Sequence, residues 1–125
     1  MAKDEWVVMV VDDEPAMVRI LERLLTGDGY RVLVAKNGEK ALELFEKHGP
    51  DLVLLDLMMP GINGREVCRK IKQISPEVRV IYMSAKALPT DTAELKEFQG
   101  EADAFISKPA TGKQILSKIS ALLAY

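Results

Sequence analysis

Little in this sequence points toward a membrane, a disulfide framework or a nucleic acid. Cysteine occurs once, at Cys68, so no intramolecular disulfide can form. The opening Met-Ala-Lys-Asp-Glu-Trp has no apolar core of the kind a signal peptide carries. No apolar run approaches the ~20 residues that span a bilayer. The 17 basic residues are dispersed among 19 acidic ones, for a net charge of -2, and no basic block stands ready to neutralise a run of phosphates. These absences predict a soluble, cytoplasmic protein with no membrane partner and no direct nucleic-acid partner. Linkers, low-complexity tracts and internal repeats are missing too. A chain of 125 residues, 48% of them hydrophobic, is therefore expected to form one domain over residues 1–125 around one core.

What the chain does have is alternation. Trp6 to Val11 is a continuous apolar run that stops at Asp12-Asp13-Glu14-Pro15, the pattern of a buried parallel strand followed by a helix start. Met17, Leu21, Leu24 and Leu25 then repeat at helical spacing, and Gly27 and Gly29 close the segment. Tyr30 to Ala35 is strand-like, and Gly38 to His48 is helical, with Ala41, Leu42 and Phe45 on one face. Asp51 to Asp56 is a third strand. Met59 to Gly64 is a loop, Val67, Ile71 and Ile74 mark a third helix stopped by Ser75-Pro76, and Val78 to Met83 is a fourth strand. Thr90 to Gln99 predicts a helix anchored by Leu95 and Phe98, Ala102 to Ser107 a short fifth strand, and Thr111 caps a last helix striped by Ile115, Ile119 and Leu122 beside Leu116 and Leu123. Five βα units with short connections imply a mainly parallel, doubly wound α/β sheet covered on both faces.

Ligands of such sheets bind outside the carboxyl ends of the strands. The residues there are Asp12 and Asp13, then Asn37, then Asp56, then Ser84, then Lys108. Three carboxylates from the first and third strands would crowd one another, and two unit charges ~4 Å apart repel by about 4 kcal/mol at an effective dielectric of 20. One ammonium cannot balance three carboxylates. A hard divalent cation that takes oxygen ligands can, and Mg²⁺ fits that description. A carboxylate beside a metal, a hydroxyl and an ammonium is what phosphoryl transfer uses, with Asp56 as the candidate nucleophile.

Four blocks carry a family resemblance: Val-Val-Asp-Asp-Glu-Pro (10 to 15), Asp-Leu-Met-Met-Pro-Gly-Ile-Asn-Gly (56 to 64), Met-Ser-Ala (83 to 85) and Phe-Ile-Ser-Lys-Pro (105 to 109). Their order and content resemble the receiver domains of two-component response regulators, of the chemotaxis-regulator type, over essentially the whole chain. The resemblance implies a five-stranded flavodoxin-like (βα)5 sheet in the order 2-1-3-4-5. It implies that Asp56 accepts phosphate from the phosphohistidine of a sensor histidine kinase or phosphotransfer protein. Asp13 and Asp56 would ligate Mg²⁺ together with the backbone carbonyl of Met58, and Asp12 would hold a metal-bound water. Ser84 and Lys108 would contact the phosphoryl oxygens, the bond before Pro109 would be cis, and Phe105 would be the aromatic switch. The output would be a downstream effector protein or domain, reached through the face formed by the fourth helix, fifth strand and fifth helix. Such a domain catalyses only its own phosphorylation and dephosphorylation. Four positions depart from the commonest pattern: Ser84 stands for Thr, Phe105 for Tyr, Ala110 for the Phe usual after Lys-Pro, and Met58 is apolar.

Other readings of the same residues exist. Asp12 and Asp13 would serve as a helix cap, Asp56 and Lys108 as a dispensable surface ion pair, and Ser84 and Phe105 as a strand-end hydroxyl and a core ring. His48 reads as a helix C-terminal residue favoured by the dipole, and Cys68 and Trp6 as structural. A Mg²⁺-dependent aspartyl phosphatase is a rival activity, but the dehalogenase-like pattern puts a second Asp two residues after the nucleophile, where this chain has Met58. A phosphorylation-independent interaction module would usually lack one of the acid pair, Asp56 or Lys108, and all are present.

Overall fold

A computed structural model describes residues 5–57, 59, 63–85 and 101–123. The strands are β1 (Val7–Val11), β2 (Arg31–Ala35), β3 (Leu52–Asp56), β4 (Arg79–Ser84) and β5 (Ala104–Ser107); the helices are α1 (Pro15–Gly27), α2 (Gly38–His48), α3 (Gly64–Ile74) and a C-terminal helix (Gly112–Leu123). Met58 and the predicted helix from Thr90 to Gln99 lie outside the described residues. All five strands run parallel in the order β2-β1-β3-β4-β5, which is the sheet the resemblance implies.

Period-two alternation within the strands divides the core between two faces. Val8, Val10, Leu52, Leu54, Ile81 and Met83 meet α1 and the C-terminal helix through Leu21, Leu25, Ile115 and Ile119. Met9, Val11, Val53, Leu55, Val80 and Tyr82 meet α2 and α3 through Ala41, Phe45, Val67, Cys68 and Ile71. Every residue of β3 is buried, because this strand is central and covered on both sides. Ile74, expected on the inner face of α3, is instead 49% exposed. The buried stripe of that helix is Gly64, Val67, Cys68 and Ile71, and Ile74, which continues the spacing, is the last residue of the helix.

The helix ends follow local chemistry. Asn37 Oδ1 accepts from the Lys40 N–H at 2.7 Å, and α2 ends at Gly49, whose φ of 56° suits glycine. His48 is the last residue of α2, beside Lys47. Thr111 and Gln114 form a reciprocal capping pair before the C-terminal helix, at 3.1 and 2.8 Å.

β3 and β5 begin later than their apolar runs predict, at Leu52 and Ala104. The acid just before each strand explains the difference. Asp51 Oδ2 accepts from the Val7 N–H at 2.8 Å, and Asp103 Oδ2 accepts from the Val80 N–H at 2.8 Å. A side-chain carboxylate here takes the place of a ladder carbonyl, and the regular ladder starts beyond it.

Around Asp103, a row of cations on α3 binds the chain approaching β5. Lys72 Nζ lies 2.8 Å from Asp103, while Arg65 and Arg69 donate to Glu101. The Arg65 fork holds the Glu101 carboxyl far below its ordinary 4.5, at about 2, against the opposing effect of partial burial; Arg69 and Tyr82 add further hydrogen bonds. A carboxyl depressed on folding contributes stability that is present above its unfolded pKa and lost as pH falls through the folded one. Stability should therefore decline as pH falls from about 4.5 toward 2. Urea midpoints measured across that range should fall less steeply for Glu101→Gln than for the wild type; parallel curves would contradict it.

Candidate functional site

The sheet order carries the polar residues to one edge. β1 and β3 are neighbours, so Asp12 and Asp13, just past β1, stand beside Asp56, the last residue of β3. One oxygen from each of the three carboxylates lies within 4.8 Å of the others. Asp12 is 1% exposed and Asp56 6%, the two charged residues in the buried set, whereas Asp13 is exposed. Ser84 ends β4 on the other side of Asp56, since β3 and β4 pair Asp56 with Met83. Its carbonyl accepts from the Lys108 N–H at 2.8 Å, which fastens the residue after β5 to the end of β4. The Lys108–Pro109 peptide is cis.

From there the Lys108 ammonium reaches both buried acids, 3.0 Å from Asp12 Oδ2 and 3.5 Å from Asp56 Oδ2. Burial alone would pull its pKa down. The hydrogen bond and charge of Asp12 and the charge of Asp56 outweigh that and hold it above the ordinary lysine value. This is not the surface ion pair of the bland reading, because the lysine side chain is only 14% exposed and both partners are buried. Nor do the acids cap α1. Asp12 Oδ1 accepts from the Glu14 N–H at 3.0 Å in a local turn, and the N-cap of α1 is Glu14, whose side chain makes no capping bond.

Charge and geometry together define what the edge can do. Among the described residues, three carboxylates face one ammonium in a partly desolvated setting, so this group of side chains is short of positive charge. Its donors are all hard oxygens, the set that suits a small divalent cation and does not suit a soft one. The residues fit such an ion. Phe105 is half-buried on β5, opposite Tyr82 in the ladder, with ring centroids 5.6 Å apart at 69°. Asn37, the remaining edge residue, is the cap of α2. Met58 lies outside the described residues. The contacts of Glu101 with α3 had not been expected from the sequence; the i, i+4, i+7 spacing of Arg65, Arg69 and Lys72 on one helix face was the available signal.

An acidic cluster, a strand-end serine and a lysine on the carboxyl edge of a 2-1-3-4-5 parallel sheet define the receiver class of signalling domain. The sequence profile of the response regulator receiver domain matches residues 8–120, and the chain belongs to that family. It is 37% identical over 117 residues to the DNA-binding response regulator MtrA of Mycolicibacterium smegmatis, covering 93% of this chain and 50% of that protein. It is 39% identical over 116 residues to the probable transcriptional regulator ycf27 of Porphyra purpurea, covering 93% of this chain and 46% of that one. The chain thus spans about half the length of these curated relatives. Among solved structures it resembles the response regulator TrrA of Thermotoga maritima in complex with Mg²⁺-BeF, with a TM-score of 0.83, 32% identity, and coverage of 94% of this chain and 99% of that one. A chemotaxis protein CheY4 of Vibrio cholerae shares the fold with a TM-score of 0.85 at 23% identity, over 94% of this chain and 98% of that one.

If the ammonium balances the buried acids, its loss should be costly on its own and much less so once an acid is neutralised. Lys108→Met should destabilise the metal-free protein by about 3–5 kcal/mol. Asp12→Asn with Lys108→Met should destabilise by less than the sum of the single changes, by ~0.5–3 kcal/mol. Denaturant unfolding of the four proteins checks this, and strict additivity would show that the pair is not coupled.

Proposed function

We propose that this receiver domain accepts a phosphoryl group on Asp56 from the phosphohistidine of a sensor histidine kinase or phosphotransfer protein, with Mg²⁺ bound by Asp12, Asp13, Asp56 and the Met58 carbonyl. The observation that carries the reading is the pair of contacts from Lys108 to buried Asp12 and Asp56 beside the three-carboxylate cluster. The likeness to TrrA, whose structure holds Mg²⁺-BeF, supports it.

Each residue has a separate task. Asp56 offers a carboxylate oxygen to phosphorus; the new O–P bond forms as the N–P bond breaks, and the departing imidazole keeps the electron pair and takes a proton. Asp13 would hold the cation directly, with Asp12 assisting from beside it. Mg²⁺, when bound, offsets the charge gathering on the phosphoryl oxygens. Lys108 stays charged beside those oxygens, because its acid partners keep its pKa high. Ser84 is positioned at the end of β4 to donate a hydroxyl to the same group. Phosphorylation adds roughly -1.5 to -2 charge, which draws Ser84 and Lys108 toward Asp56 and lets Phe105 turn inward. The change shifts an existing equilibrium and is read by an effector at the face around β5. The domain acts in the cytoplasm, needs no direct nucleic-acid contact of its own, and has no catalysis beyond its own phosphorylation and dephosphorylation. Among the described residues no helix is long and apolar enough to cross a membrane.

Incubation with Mg²⁺ and a small phosphodonor, followed by intact-mass measurement, should add one phosphoryl group to the wild type and none to Asp56→Asn. A single acid-labile group on the variant at wild-type rate would defeat the assignment. Lys108→Ala should still bind Mg²⁺ and take phosphate slowly, yet show no gain in partner affinity on phosphorylation. A gain equal to that of the wild type would remove Lys108 from the switch.

A further inference from the structure

Glu101 stands three residues before β5, and its carboxylate is held by side chains from two elements, α3 and β4. Arg65 donates to it from Nε at 2.8 Å and from Nη2 at 2.7 Å, Arg69 from Nη2 at 2.9 Å, and Tyr82 from its hydroxyl at 3.0 Å. Its backbone carbonyl accepts from Cys68 Sγ at 3.3 Å. The carboxylate side chain is only 14% exposed, and a bidentate arginine fixes orientation as well as distance. α3 is itself seated against the acidic site. A Cβ at Gly64, its first residue, would stand 3.1 Å from the Asp56 carbonyl oxygen and 3.2 Å from Leu57 Cα. One rigid helix therefore touches the Asp56–Leu57 backbone at its start and grips Glu101 within its first two turns.

The grip reaches the aromatic pair through one hydroxyl. Tyr82 is 1% exposed, so its hydroxyl needs an internal partner, and the bond to Glu101 fixes the ring from its far end. Phe105 lies edge-on to that ring. Ser84 follows Tyr82 by two residues, on the same face of β4. The ring held by Glu101 is thus the surface against which Phe105 rests, beside the strand end toward which it would turn.

We propose that Arg65, Arg69 and Glu101 form a brace that holds Tyr82, and through it Phe105, in the resting arrangement, so that releasing the brace favours the signalling arrangement. The inference rests on Phe105 as the switch residue of the proposed function. The brace sets the balance between two arrangements without touching the phosphoryl chemistry. Hydrogen bonds to charged groups are strong enough that one made in a single arrangement biases the ratio by about tenfold.

4-Fluorophenylalanine incorporated at position 105 gives one fluorine resonance for this ring. It is recorded for the wild type, Glu101→Ala, Tyr82→Phe and the double variant, with and without Mg²⁺ and phosphodonor, while intact mass reports phosphate uptake. In the unphosphorylated state both single variants should move the resonance toward its position in the phosphorylated wild type, with a change in population ratio of about threefold or more. The double variant should move it no further, because both changes remove the same bond, and every variant should still take up one phosphoryl group. A resonance that stays at the wild-type position in both single variants overturns the brace even if thermal stability falls, since a purely structural contact would lower stability alone. Additive shifts in the double variant overturn the shared route. A wild type that takes up no phosphate is the separate failure of the underlying reading, seen in the mass, and the brace as a control of signalling fails with it.

Discussion

An ammonium between two buried carboxylates is an expensive arrangement unless each charge answers another. Lys108 meets Asp12 at 3.0 Å and Asp56 at 3.5 Å, and the residues come from the ends of three different strands. Asp12 and Lys108 are 96 residues apart in the chain. Nothing local brings them together; the contact exists because β1 lies beside β3, β4 beside β3, and β5 beside β4. A different strand order would leave buried acids without a cation, at a cost of several kcal/mol per ion. The topology and the site are therefore one constraint seen from two sides.

The same constraint explains why the site is incomplete in charge. The strands are apolar along their length on both faces, so polar groups collect at the strand ends, and the carboxyl ends gather Asp12, Asp13, Asp56 and Lys108. Among the described residues, three carboxylates and one ammonium collected there leave an excess of negative charge. Such an excess repels an incoming phosphoryl group, whose own charge is negative, unless a further cation stands between them. On the proposed function, the acids that would bind a cation are thus the reason that phosphoryl transfer at this edge would require one.

The fold was legible because periodicity and strand-end chemistry agree. Apolar runs ending at Asp12, Asp56 and Ser84 located the strands to within a residue or two, and Thr111 marked the last helix through a cap that the structure contains. What periodicity misread were contacts settled by side chains from elsewhere. Ile74 looked buried by spacing but lies at the end of α3, beyond the stripe that meets the sheet. The starts of β3 and β5 shifted because Asp51 and Asp103 replace ladder carbonyls, a role no apolar pattern encodes. The acids, Ser84 and Lys108 could be named from the strand ends, and the strand order came from the resemblance. The depth of burial of Asp12 and Asp56 and the reach of Lys108 depend on three dimensions, as does the attachment of Glu101 to α3.

Chemistry and control are also separated in space. The acid cluster, Ser84 and Lys108 sit at the strand ends, where small displacements would disturb the proposed metal, nucleophile and donors at once. The contacts that set the posture of Tyr82 and Phe105 sit on the flank between α3 and the approach to β5, built from Arg65, Arg69 and Glu101. A substitution on that flank changes the balance between two arrangements of the same fold, and a ligand shifts such a balance only by its difference in affinity for the two. In the proposed function, the phosphoryl group on Asp56 would supply that difference. The flank sets the starting point from which it acts, so domains with one reaction can differ in how far phosphorylation moves them.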